Sequence, residues 1–377
     1  MTNKETRGRI RIAFFLGSMS GGGAERVVLN ILKSIDTEIF SCLLIVKKDK
    51  GEYKQEFLKL VEVKKLGGNS FLQRAKSLKN LLRENQADVV LSYARPANYL
   101  LIFTRMIFRL KNIKTAINEV NNLTAKIDLR YSPFKKKLIR KLTPFLYTRV
   151  DFIVTQSEGI KNDLVQNYKV PEKRITRVYN AIDIDAIFEK RTEDIDEHLP
   201  EADLKMVAVG RLEKQKAFDQ LIKAVSRLED IDYRLLIIGE GTLKETLQRQ
   251  IDDLGLQDRV RLLGFKNNPW AYMYRSDLFI LSSIFEGFGN VIVEAMACKC
   301  AVISTDCDFG PPEIIQHGRS GLLVPVNNVE AVESEIRNLN KDKSKLNQLA
   351  MNAEDRSRDF HRDLICQEFE KLIEEKL

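Results

Sequence analysis

Apolar residues in this chain fall into short continuous runs, separated by longer stretches in which they recur every three or four positions. A short apolar run bounded by turn residues marks a strand covered on both faces, and the longer recurrence marks an amphipathic helix. In the first half, strands are predicted at Arg11–Leu16, Ser41–Val46, Asp88–Ser92, Thr115–Asn118, Asp151–Thr155 and Thr176–Tyr179. A helix is predicted over Ala24–Ser34, with Val27, Val28, Ile31 and Leu32 on one side. The second half repeats the alternation, with strands at Lys205–Val209, Arg234–Ile238, Val260–Leu263, Leu278–Ser282 and Ala301–Ser304 and helices at Phe218–Leu228 and Leu243–Leu254. Strands alternating with helices imply parallel β-α-β units, so the expected class is α/β. The acidic stretch Phe188–Asp203 has no apolar period and is read as a linker. The expected architecture is two doubly wound domains facing each other across a cleft, with ligands beyond the carboxyl ends of the strands.

Length and composition agree with that picture. A chain of 377 residues suits two domains, and 44% hydrophobic with 30% charged residues is ordinary globular material. No apolar run approaches the ~20 residues of a membrane span. The apolar piece Ile12–Leu16 is too short for a signal-peptide core of about 7–15 residues, so it is read as a buried strand and the protein as cytoplasmic. Cys42, Cys298, Cys300, Cys307 and Cys366 form no disulfide framework and no good zinc spacing, and are read as buried structural thiols. Charge changes the picture more. Residues 1–184 carry 35 Lys+Arg and 17 Asp+Glu, a net of +18, while the remainder carries a net of −10. The first half is therefore expected to meet something negative, a membrane or a polyanion.

Three segments carry candidate chemistry. Gly17-Ser18-Met19-Ser20-Gly21-Gly22-Gly23-Ala24-Glu25-Arg26 joins the first strand to the first helix. Its glycines allow close approach of a ligand, and the helix N-terminus offers amides to a phosphate; a plain turn and a dinucleotide-binding loop are the rival readings. Gly210-Arg211-Leu212-Glu213-Lys214-Gln215-Lys216 follows a strand, where Arg211 and Lys216 are suited to clamp a diphosphate. Phe285-Glu286-Gly287-Phe288-Gly289-Asn290-Val291-Ile292-Val293-Glu294 follows another. There Asn290 is expected to cap the next helix, the amides of Gly289, Asn290 and Val291 to face an anion, and the two carboxylates to take sugar and ribose hydroxyls. The alternative is a helix that merely carries two exposed acids.

The loop SGGGAERV, the segments GRLEKQK, GEGTLKETL and LLGFKNN, and the E-x7-E of EGFGNVIVEAMAC resemble retaining glycosyltransferases of family 4 over nearly the whole chain. The resemblance implies the GT-B fold, two Rossmann-like domains of which the second binds a nucleotide sugar. It implies a first domain over 1–187, a second over 188–357, and a C-terminal helix over 358–377 crossing back to the first. It implies that Arg211 and Lys216 neutralise the leaving diphosphate, that Glu286 contacts the transferred sugar and that Glu294 contacts the ribose. Backbone at Gly22, Gly23, Gly287, Phe288, Gly289, Asn290 and Val291 would hold the donor, with Gly210, Gly239, Glu240, Phe265 and Lys266 framing it. Such a site needs no metal and no cofactor; Asp183–Asp185 and Asp306–Asp308 only mimic a metal-binding D-x-D. Many members carry a His after a first-domain strand. Here that place reads Ile117-Asn118-Glu119-Val120, so Asn118 and Glu119 are the expected substitutes, with Glu119 counted as catalytic.

The acceptor is read from the basic half. In Arg130–Arg149, Lys135, Lys136, Lys137, Arg140 and Lys141 interleave with Phe134, Leu138, Ile139, Leu142, Phe145 and Leu146, and Arg105–Lys114 is similar. A basic amphipathic helix suits an anionic membrane surface, although it can equally turn its apolar face into a core. SGGGAERVV, NAIDID, LGFKNNPWAYM and FEGFGNVIVEAMACKCAV resemble bacterial enzymes that add N-acetylgalactosamine to undecaprenyl-diphosphate-linked oligosaccharide in protein N-glycosylation. The resemblance implies a UDP-sugar donor, a lipid-linked saccharide acceptor, attachment to the cytoplasmic membrane face, and no nucleic acid. The alternatives are a polysaccharide, lipopolysaccharide or glycolipid transferase with another donor, and a GT-B sugar-nucleotide epimerase.

Overall fold

The structure is a computed structural model that describes residues 8–195, 197, 199 and 201–377. The first seven residues of the N-terminal segment, and Asp196, His198 and Pro200 of the expected linker, lie outside it. The chain divides into two compact units, Met1–Ala181 with Arg362–Leu377, and Ile182–His361. The first boundary therefore falls earlier than residue 187. Residues 358–361 stay with the second unit, and Ile184–Lys190 is a helix, so Phe188 begins no linker.

The first unit holds a sheet of β1 (Ile10–Leu16), β2 (Phe40–Val46), β3 (Glu62–Lys65), β4 (Val89–Tyr93), β5 (Lys114–Glu119), β6 (Phe152–Thr155) and β7 (Ile175–Arg177). The strands lie in the order β3-β2-β1-β4-β5-β6-β7, each pairing parallel to its neighbours. Alternation along β1 explains why the sheet is covered twice: Ile12, Phe14 and Leu16 enter one core, Ala13 and Phe15 the other. The helix Arg362–Lys376 supplies Ile365, Cys366, Phe369, Leu372 and Ile373 to the first of these cores, with the Phe369 ring stacked 5.9 Å from Phe14. Burying such a side chain contributes about 1.5–3 kcal/mol.

The second unit holds β8 (Leu204–Val209), β9 (Tyr233–Ile238), β10 (Val260–Gly264), β11 (Leu278–Leu281), β12 (Ala301–Thr305) and β13 (Leu322–Val324), in the parallel order β10-β9-β8-β11-β12-β13. In each sheet the chain winds outward, returns, and continues on the other side. The reversal lies between β1 and β4 in one unit and between β8 and β11 in the other. Helices leave opposite faces there, which opens a crevice beyond the carboxyl ends of the strands. The edge strand β3 had no apolar signature to predict it, since Glu62, Lys64 and Lys65 fill three of its four positions, and β13 (Leu322–Val324) is apolar but only three residues long. No helix among the described residues is long and apolar enough to cross a membrane.

Candidate functional site

The second unit gathers the predicted chemistry at its switch point. After β8 the chain runs through Gly210 and Arg211 into a tight turn, Lys214–Lys216, and after β11 it runs from Ser282 to Glu286. Three hydrogen bonds tie these two loops together: Ser282 Oγ donates to the Lys216 carbonyl (2.8 Å), Ile284 N to the Gln215 carbonyl (2.8 Å), and Gln215 Nε2 to the Phe285 carbonyl (2.9 Å). They bring Lys216 Nζ to 2.6 Å from Glu286 Oε1. Both side chains are nearly buried, 12% and 9% exposed. Ser283 Oγ also donates to Glu286 Oε1 at 2.6 Å, and Thr305 Oγ1 holds the Ser283 carbonyl at 2.6 Å. No hydrogen bond among the described residues falls on Glu286 Oε2, so that oxygen is available to a ligand hydroxyl.

Glycines set the spacing. A Cβ on Gly210 would lie 3.0 Å from Lys216 Cε, and one on Gly239, at φ 146°, would lie 1.9 Å from the Gly210 carbonyl oxygen. The close passage of these strand ends therefore requires glycine at 239, while a Cβ at 210 would press on the Lys216 stem. Gly289 takes the left-handed conformation (φ 100°) as N-cap of the helix Asn290–Ala297. Asn290 is thus the first helical residue and not the cap. Gly289 has no side chain with which to cap this helix, and the helix N-terminus carries a partial positive charge at the crevice. Glu294, 4% exposed, is held by the indole N–H of Trp270, which donates to Oε2 at 3.1 Å. The two acids are therefore buried and partnered, unlike the solvated pair that a plain surface helix would carry.

The remaining predicted donor residues divide. Arg211 is exposed, with no ion-pair partner among the described residues, and Phe265 is 58% exposed on the loop after β10. Glu240 is exposed and bridged to Lys244 at 3.0 Å. Lys266 is paired with Glu197 of the acidic stretch, which also receives the Tyr272 hydroxyl. Phe288 is 2% exposed with its ring 5.5 Å from Phe360, so its side chain anchors the loop in the core. Sequence reasoning missed Ser283 and Trp270. Trp270 was visible only as the single tryptophan of the chain and as part of the segment LGFKNNPWAYM.

In the first unit, Gly22 precedes the helix Gly23–Ser34. A Cβ on Gly21 would lie 2.2 Å from Glu52 Oε2, and one on Gly22 would lie 2.5 Å from Glu25 Oε2, so two carboxylates stand against this loop. Burial raises the Glu25 carboxyl above its ordinary value. Glu119 ends β5, 2% exposed, and accepts from the Tyr147 hydroxyl at 2.5 Å. Burial and the adjacent Glu119 push that hydroxyl well up, so Tyr147 remains a donor. Asn98 links Ser92 to the Asn118 carbonyl (2.8 and 2.9 Å). Asn118 Oδ1, Thr155 Oγ1, and Nε and Nη2 of Arg95 are buried without a hydrogen-bond partner among the described residues. Orphaned polar atoms at the ends of β4, β5 and β6 are what a hydroxyl-rich ligand would satisfy.

The helix Pro133–Tyr147 divides its apolar residues between two faces, with Ile139 and Leu146 packed against the core. Thr143 and Tyr147 face the core, while Phe134 (79% exposed), Leu138 (47%), Leu142 (45%) and Phe145 (48%) form a stripe in solvent. Lys136 and Arg140 pair with Asp128, whereas Lys135, Lys137 and Lys141 have no ion-pair partner among the described residues. Of the five thiols, all but the half-buried Cys42 are buried. Burial pushes Cys42 and Cys307 up to about 12, which leaves both unreactive.

Comparison with known proteins matches most of the chain to glycosyltransferase models. The model for glycosyl transferases group 1 matches residues 189–356, and the model for glycosyltransferase family 4 matches residues 21–186. A Campylobacter jejuni protein, N-acetylgalactosamine-N,N'-diacetylbacillosaminyl-diphospho-undecaprenol 4-alpha-N-acetylgalactosaminyltransferase, is 34% identical over 340 residues, covering 88% of this chain and 90% of that protein. A second from the same organism, a GalNAc-alpha-(1->4)-GalNAc-alpha-(1->3)-diNAcBac-PP-undecaprenol alpha-1,4-N-acetyl-D-galactosaminyltransferase, is 25% identical and covers 97% of this chain and 99% of its own. Among solved structures, Anabaena HepE in complex with UDP superposes with a TM-score of 0.80 at 20% identity, covering 97% of this chain and all of that one. The lipopolysaccharide outer core galactosyltransferase WaaB superposes at 0.75, with 22% identity, covering 98% of this chain. These two likenesses identify the fold as GT-B.

Proposed function

This chain belongs to glycosyltransferase family 4 and is a hexosyltransferase, and from that premise we propose that it moves N-acetylgalactosamine from UDP-GalNAc, with retention, to a lipid-diphosphate-linked saccharide at a membrane surface. The buried Lys216–Glu286 pair at the switch point of the second sheet carries this reading. A cation fixed beside a carboxylate, next to a helix N-terminus that opens on Gly289, suits a leaving diphosphate and an electron-poor anomeric carbon at once. Arg211 and Lys216 stabilise the diphosphate, Glu286 Oε2 takes a sugar hydroxyl, and Glu294, aimed by Trp270, takes the ribose. The bond from C1 to the β-phosphate oxygen breaks, and the acceptor oxygen bonds to C1 from the same face. The acceptor's proton passes to a β-phosphate oxygen. Charge stabilisation comes from side chains and amides, so no metal is needed.

The names of the Campylobacter relatives support the lipid-linked acceptor, and the exposed stripe of the helix Pro133–Tyr147 supports the membrane. Apolar side chains flanked by unpaired lysines suit an anionic surface, where each lysine contributes about 1 kcal/mol. The orphaned groups around Asn118 and Arg95 suit the acceptor's hydroxyls.

The test is a panel of UDP-, GDP- and ADP-sugars with an undecaprenyl-diphosphate-linked saccharide, with and without EDTA. UDP release from UDP-GalNAc in EDTA and an α-linked product by NMR are expected. Loss of activity in EDTA refutes the metal-free chemistry, and a β-linked product refutes retention. For the membrane, Lys135→Glu/Lys137→Glu/Lys141→Glu is expected to abolish flotation with phosphatidylglycerol vesicles. Unchanged flotation overturns that part.

A further inference from the structure

We propose that a cavity at the amino edge of the first sheet binds a phosphate-bearing anion. The cavity, of about 1250 Å³, opens among the starts of β1, β2, β5 and β6, near the ends of the helices Arg95–Phe108 and Pro133–Tyr147. The strands are parallel, so this edge lies one strand length, roughly 20 Å, from the carboxyl edge where Glu119 sits. It is a different place from the site described above, and its occupant need not be the donor or the acceptor.

Eight Lys and Arg line the cavity against two Asp. Three of the eight are accounted for internally, the first being Arg9, which donates to the Thr37 carbonyl at 3.2 Å. Arg105 is engaged by Asp151, with Nη2 donating to Oδ1 at 2.8 Å, and Arg174 donates to the carbonyls of Thr148 (3.1 Å) and Val150 (2.7 Å). The second aspartate, Asp88, accepts from the backbone amide of Arg11 at 2.8 Å. The Arg11 guanidinium itself donates to the neutral Gln86 Oε1 at 2.7 Å, which leaves its charge uncompensated. Arg149 lies over the Phe145 ring at 4.3 Å, and Arg109, Lys111 and Lys114 are exposed with no ion-pair partner among the described residues. Like charges converging in a concavity repel one another, and the field they focus there attracts a multiply charged anion. Arginine forks and lysine point charges together match phosphate oxygens. The rim also carries the exposed Met106, and the stripe residue Phe145 lies beneath Arg149. The anion can therefore come from solution or from a lipid headgroup.

The experiment compares the full chain with Arg109→Glu/Lys111→Glu/Lys114→Glu, titrating inorganic diphosphate by calorimetry and measuring flotation with phosphatidylglycerol and phosphatidylcholine vesicles. Arg109→Gln/Lys111→Gln/Lys114→Gln gives an intermediate variant without added repulsion, and Lys299→Glu/Lys341→Glu/Lys345→Glu controls for net charge. The charge reversal is expected to remove one equivalent of diphosphate binding if the anion is free, or to cut phosphatidylglycerol flotation at least tenfold if it is a headgroup. The control triple is expected to change neither. Identical isotherms and flotation for the full chain and the charge reversal overturn the proposal, as does an equal loss in the control triple.

Discussion

Replacing Lys216 with methionine tests the centre of the site. The substitution keeps the aliphatic stem that passes Gly210 and removes only the charge. The buried Glu286 carboxylate is then left with Ser283 as its remaining donor. At the observed separation of 2.6 Å, and an effective dielectric constant of about 20, the lost attraction is ~6 kcal/mol before desolvation is counted. Desolvation offsets part of that, and breaking one side of a buried pair costs about 3–5 kcal/mol. Lys216→Met should therefore lower the unfolding free energy by about that amount in urea titrations. Glu286→Gln should be milder, because its amide oxygen still accepts from Ser283 and Lys216. The double variant Lys216→Met/Glu286→Gln removes both charges and should recover most of the stability. Turnover should behave differently. If the ammonium stabilises a leaving diphosphate, Lys216→Met should lower kcat by roughly 10²–10³, about 2.7–4 kcal/mol, and the double variant should be no faster. Release of nucleoside diphosphate provides the assay. A double variant that regains both stability and turnover would show the pair to be a strut, and the catalytic assignment would fail.

Three further outcomes follow from the same geometry. Trp270→Phe deletes the N–H held by Glu294 and should raise KM for the donor about 5–10-fold, ~1–1.5 kcal/mol, with kcat nearly unchanged; a larger effect on kcat than on KM would contradict a ribose role. Gly239→Ala forces a Cβ to 1.9 Å from the Gly210 carbonyl at φ 146°, so it should destabilise by more than ~2 kcal/mol and abolish turnover; a soluble, active variant would refute the need for close passage. Burial pushes the Asp151 carboxyl up, but hydrogen bonds from Arg105 and Thr115 outweigh it and hold it below the usual value of 3.8. Its contribution is complete above that value and lost as pH falls through the lower, folded one. Asp151→Asn should cost about 1 kcal/mol at pH 7, discounted for solvent exposure, and the gap should close under acid denaturation below pH ~4. A gap that does not depend on pH would remove the ion-pair explanation.

Much was legible in the order of residues because it depends on neighbours in the chain. Runs such as Ile12–Leu16 and Leu278–Leu281 are apolar at every position because they are covered on both faces, and that requirement is written locally. The sequence therefore determined the α/β class, the parallel strands, and the placement of Gly210–Lys216 and Phe285–Glu294 just after strand ends. Other features depend on partners far along the chain. β3 exists because β2 offers it an unpaired edge, not because of its own charged residues. Lys216 and Glu286 lie 70 positions apart, and only the crossing between β8 and β11 makes them an ion pair. Phe288 reads like a ligand contact beside its glycines, yet Phe360 draws its ring into the core. The helix Pro133–Tyr147 could have turned its apolar residues either way, because periodicity fixes which residues share a face but not what the face meets. Tertiary packing decided that by turning Thr143 and Tyr147 inward, where Tyr147 donates to Glu119, and leaving Phe134, Leu138, Leu142 and Phe145 in water.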